Sequence, residues 1–75
     1  MREIAVLPRR GFEVGMELFA TVSYLRSAGI HPRSAVTGPA CAIVWVDDEE
    51  IWISVGLLRN NGFEAAYVTE TELPV

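Results

Sequence analysis

Apolar residues fall along this chain in two styles, short unbroken runs and longer stretches striped at three-to-four spacing, and their alternation lays out the elements. Ile4-Ala5-Val6-Leu7 is an unbroken run closed by Pro8-Arg9-Arg10-Gly11, the pattern of a strand buried on both faces and stopped by a turn. From Val14 the period changes: Val14, Leu18, Val22 and Leu25, with Phe19 beside them, stripe one face of a helix. Glycine reaches positive φ without a Cβ clash, so Gly29 ends that helix, which the spacing predicts over residues 12–28. Pro32 cannot donate to a central ladder, so a strand within residues 30–37 belongs at a sheet edge. Gly38-Pro39 is turn punctuation, and Cys41-Ala42-Ile43-Val44-Trp45-Val46 after it is the most strand-like run in the chain. Asp47 with Glu50 three residues on has the form of a capping box, which starts a second helix striped by Ile51, Val55 and Leu58 and flanked by Trp52 and Leu57. Asn60-Asn61-Gly62 stops it, Ala65 to Thr69 reads as a short fourth strand, and residues 69–75 read as a frayed tail.

The two halves echo each other. Leu25-Arg26-Ser27-Ala28-Gly29-Ile30 parallels Leu58-Arg59-Asn60-Asn61-Gly62-Phe63, each ending a helix and leading towards a strand. Two interlocked βαβ units make a single α+β domain over residues 1–75, ferredoxin-like βαββαβ, with a four-stranded antiparallel sheet of order 4-1-3-2. That order puts the two apolar runs in the middle and the Pro-bearing segment at an edge, and right-handed crossovers place both helices on one face.

One face of the sheet is then left bare. Alternation divides the third strand into Ala42, Val44 and Val46 on one side and Cys41, Ile43 and Trp45 on the other, and both sets are apolar. Pattern alone does not say which set meets the helices. An uncovered apolar sheet face is uncommon in a monomer, so the expectation is an interface carried by Ile43 and Trp45, most simply of a homodimer. The competing expectation is that strand curvature and the tail cover it.

Charge narrows the partners. Six Arg against ten Asp and Glu leave a net charge of −4, with no Lys in the chain, so nucleic acid is not expected as a partner. Four apolar residues before Pro8 are too few for a signal peptide or a membrane span, and the single Cys41 builds no internal disulfide, so a cytoplasmic protein without membrane contact is expected. Arg9, Arg10 and Gly11 lie between the first strand and first helix, where free backbone N–H groups favour an anion, and they are the candidate ligand-binding residues; the plainer alternative is a solvated basic turn. Asp47, Asp48, Glu49 and Glu50 are explained by capping rather than by a metal, and no metal or cofactor is expected. His31 and Cys41 are the only imidazole and thiol, and strand spacing holds them too far apart to act as a catalytic pair.

The helix ending Leu25 to Ile30, the segment Val44-Trp45-Val46-Asp47-Asp48-Glu49 and Leu57-Leu58 before a glycine together resemble the small bacterial signal-transducing protein family, a ferredoxin-like domain of unknown function. That resemblance implies a regulatory role and supplies no catalytic residues. The Leu25 to Ile30 ending also resembles ACT domains, which implies a small-molecule site for an amino acid or nucleotide near Arg9, Arg10 and Gly11. An acylphosphatase-like hydrolase shares the topology, but Asn60 and Asn61 stand at the wrong end of the second helix to orient its water. The expectation is a non-enzymatic regulatory or interaction module.

Overall fold

The structure is a computed structural model that describes residues 1–68, so the expected tail lies outside the described residues. Four strands, β1 (Arg2–Leu7), β2 (Ser34–Thr37), β3 (Ala42–Val46) and β4 (Glu64–Val68), surround two helices, α1 (Val14–Ser27) and α2 (Ile51–Asn60), in the order β1-α1-β2-β3-α2-β4. The sheet is antiparallel with order β2-β3-β1-β4, the ferredoxin-like βαββαβ arrangement.

The echo between the halves is a shared way of ending a helix. The N–H groups of Gly29 and Ile30 bond to the carbonyls of Arg26 and Leu25, and those of Gly62 and Phe63 bond to Arg59 and Leu58 in the same pattern. Gly29 and Gly62 have φ of 87° and 85°, left-handed conformations that a Cβ disfavours. Each motif also drives its own apolar pair, Leu25 with Ile30 and Leu58 with Phe63, into the core.

Strand alternation resolves the ambiguity of the third strand. Ile4 and Val6 of β1, Ala42, Val44 and Val46 of β3 and Ala65 of β4 share one core with Leu25, Val55 and Leu58 of the helices. The continuous run in β1 is therefore not buried on both faces as its sequence predicts, because Leu7 is 51% exposed and Ala5 half-buried.

Three other boundaries shift. Helix α1 begins two residues later than expected, and its buried line is Glu17, Thr21 and Leu25, with Val14, Leu18 and Val22 at the flank. Phe19 falls on the opposite side of the helix and is 76% exposed. Helix α2 begins at Ile51, preceded by one 3-10 turn over Asp48–Glu50. No side-chain cap forms at Asp47, because its carboxylate is bonded to Arg33 instead. The hairpin between β2 and β3 pairs Val36 with Ile43, and Gly38 to Cys41 close a tight loop through the Gly38 N–H on the Cys41 carbonyl at 2.8 Å.

Candidate interaction surface

The side of the sheet away from the helices, which no described element covers, is built from rungs, each contributed by residues that face one another across the strands. The central rung is Val36, Ile43, Ala5 and Ala66, running across β2, β3, β1 and β4 without a polar atom in any side chain. Beside it lies Ser34, Trp45, Glu3 and Val68, and beyond it Leu7 faces Glu64. Directly opposite residues in an antiparallel pair share a face, so these residues project away from the helices. The two residues singled out from sequence, Ile43 and Trp45, are both on this side and half-buried against their strand neighbours. Leu7 and Val36 extend the apolar surface and are 51% and 44% exposed. Sequence reasoning did not name Ala5, Leu7, Val36 or Ala66 for this face; the hairpin register places Val36, and the pairing of β1 with β3 and β4 places the other three.

Glu3 and Glu64 are the only charged residues on these rungs, Glu3 on the central strand β1 one rung from the middle and Glu64 on the edge strand β4. The central rung offers nothing with which to hold water.

The loop marked for an anion is organised differently from a simple basic turn. The Glu17 carboxylate, fully buried, accepts from the Arg9 backbone N–H at 2.9 Å and from its Nε at 3.0 Å, and Nη2 lies 3.0 Å from Oε1. The guanidinium carbon sits 4.5 Å from the centre of the Phe12 ring and 4.3 Å from that of Phe63, within cation–π range of both. Arg9 thus ties the loop after β1 to α1 and to the turn before β4, with its charge matched inside the chain. Arg10 and Gly11 are exposed, Gly11 with φ of 86°, and α1 begins only at Val14.

A shallow cleft at the other end is lined by His31, Pro32, Arg33, Asp47 and Glu50. Arg33 meets Asp47 as a two-pronged fork, Nε to Oδ1 at 2.8 Å and Nη2 to Oδ2 at 3.1 Å, and its backbone N–H donates to the Trp45 carbonyl at 2.8 Å. The hydrogen bond from Arg33, reinforced by its positive charge, holds the Asp47 carboxyl below its ordinary value. The fork secures the entrance of β2 to the end of β3. Asp48 lies 3.7 Å from Arg2 Nε, so two of the four consecutive acids serve as ion-pair partners.

Among the described residues no three His, Cys, Asp or Glu side chains are grouped to hold a metal ion, and no helix is long and apolar enough to cross a membrane. Cys41 is a half-buried free thiol at the head of β3. On the outward side of α1, Met16 and Phe19 are 53% and 76% exposed. Trp52 of α2, also largely exposed, packs edge-on against Tyr67 with centroids 5.1 Å apart. No family model, no curated protein and no solved structure matches the chain.

Proposed function

We propose that this protein is a non-catalytic interaction module that works by self-association, its binding surface being the sheet face away from the helices. The observation that carries this reading is the central rung Val36, Ile43, Ala5 and Ala66, which spans all four strands without a polar side chain. Water gains nothing from contact with it, and burial releases about 25 cal/mol per Å² of apolar area. A regulatory role fits a domain of this kind, since a paired state and a free state differ in the surface they show.

Light scattering across a concentration series tests the reading. The expected result is a mass that rises from one chain towards two, and that stays at one chain in Ile43→Asp, which plants a charge in the middle of the rung. A native chain that remains single at about 1 mM, where an association of only about 4 kcal/mol already half-fills, overturns it. Calorimetric heat with an amino acid or nucleotide, abolished in Arg10→Ala, would favour a sensing role in its place.

A further inference from the structure

We infer that two copies stack face to face about a two-fold axis running along the strands between β1 and β3, so that the bulky half of each central rung fills the hollow half of the other. This rests on the self-association reading and adds to it a specific fit. Along the central rung, side chains are large on β2 and β3, where Val36 and Ile43 stand, and minimal on β1 and β4, where Ala5 and Ala66 stand. On this rung the sheet thus has a ridge on one half and a trough on the other.

Rotation about an axis lying between the two sheets and parallel to the strands reverses the strand order of the copy above. Its β1 then lies over β3, and its β4 over β2. Ile43 of each copy descends on Ala5 of the other, and Val36 on Ala66, which is the reciprocal contact a two-fold interface requires. An axis at right angles to the strands instead sets Ile43 on Ile43 and Ala5 on Ala5. That holds the sheets apart at the ridge and leaves an apolar void over the trough, whose lining loses its dispersion contacts.

The neighbouring rung agrees with the first axis. It sets Glu3 of one copy over Trp45 of the other and Val68 over the smaller Ser34, and keeps the two Glu3 carboxylates from facing each other. The twist of each sheet turns the strands by about 30° across such a stack, which leaves the contacts nearest the axis, Ile43 with Ala5, the best matched. Four strands about 4.8 Å apart and five residues at about 3.3 Å per residue give a patch of roughly 320 Å² in projection. Counted on both copies that is about 640 Å², below the roughly 1,200 Å² of a stable complex, so the pair is weak and transient.

Sedimentation velocity of the native chain, Ala5→Ile, Ile43→Ala and an equal mixture of the two variants tests the fit, with circular dichroism confirming that each variant folds. Ala5→Val replaces Ala5→Ile should the larger side chain disturb β1. In the expected result, Ala5→Ile fills the trough and Ile43→Ala removes the ridge, so each variant alone pairs at least about tenfold more weakly than the native chain, the scale of one packing defect. The mixture regains near-native pairing, because the enlarged side chain of one variant then faces the shortened side chain of the other. Ala5→Ile pairing as tightly as the native chain, or a mixture no better than its components, overturns the axis while leaving self-association intact. A native chain that stays single at about 1 mM, where an association of only about 4 kcal/mol half-fills, removes the reading beneath it.

Discussion

Arg9 and Glu17 meet twice, through the backbone N–H of Arg9 at 2.9 Å and through its guanidinium at 3.0 Å, and the carboxylate that receives both is fully shielded from solvent. A buried carboxylate stripped of its partner is costly. Arg9→Ala is expected to lower unfolding free energy by about 3 kcal/mol, the lower end of the range for breaking a buried pair, because the arginine itself is partly exposed. Replacing both groups, as Arg9→Met with Glu17→Leu, is expected to recover most of that loss. Urea denaturation of the single and double variants measures it, and equal losses in both would show that the pair is not what holds the loop.

The Arg33–Asp47 fork gives a pH dependence of known sign. The Asp47 carboxyl is held below its ordinary value of 3.8 by the hydrogen bond from Arg33. A depressed carboxylate contributes stability that is fully present above its unfolded-state pKa and fades as pH falls through the folded one. Stability of the native chain is therefore expected to drop more steeply below about pH 4 than that of Asp47→Asn, since the substituted chain has no such carboxylate to protonate. The pair is exposed, so the difference is small and shrinks in high salt. Thermal melts between about pH 2.5 and 6 at two salt concentrations, a range that brackets the loss of the carboxylate charge, provide the comparison.

Gly29 and Gly62 close the two helices in the same left-handed conformation. Nothing lies within 4 Å of a Cβ built at either position, so the cost of alanine there is conformational rather than steric. Each Gly→Ala change is expected to lower stability by about 1 to 2 kcal/mol. Similar losses at both sites, seen as similar shifts in urea midpoint, would show that the repeated ending acts alike in each half.

Thr21 and Ser54 carry buried hydroxyls with no hydrogen-bond partner among the described residues. An unpaired buried hydroxyl opposes folding, and an apolar replacement of similar shape removes that opposition. Thr21→Val and Ser54→Ala are each expected to hold or raise stability by up to about 1 kcal/mol. A clear loss in calorimetric melting temperature for either variant would mean that its hydroxyl has found a partner.

Much of this architecture was legible because local rules and the fold agree. Pro32 kept the second strand at an edge, Gly29 and Gly62 marked helix ends, and the unbroken runs around Val6 and Val44 marked the central strands. What escaped were relations between distant residues. Nothing in the sequence pairs Glu17 with Arg9, and with Glu17 in the buried line of α1, Phe19 two positions on falls on the outward side. Asp47 reads as a helix cap until Arg33 arrives from another element. On the open face, Ile43 and Trp45 follow from strand alternation, whereas the alanines that share the Ile43 rung depend on how β1 pairs with β3 and β4 across long stretches of chain.

Strand β2 closes one margin of the sheet with four exposed residues, Ser34 to Thr37, none of them charged, and bonds to β3 along one side only. Its outward N–H and carbonyl groups are a template on which another chain can lengthen the ladder. Arg33 at its head is the nearest charge, and Pro32 and Pro39 bracket the free stretch. Acid that releases Asp47 from Arg33 frees the head of this strand, so turbidity in concentrated samples is expected to begin there, as lateral growth of sheets.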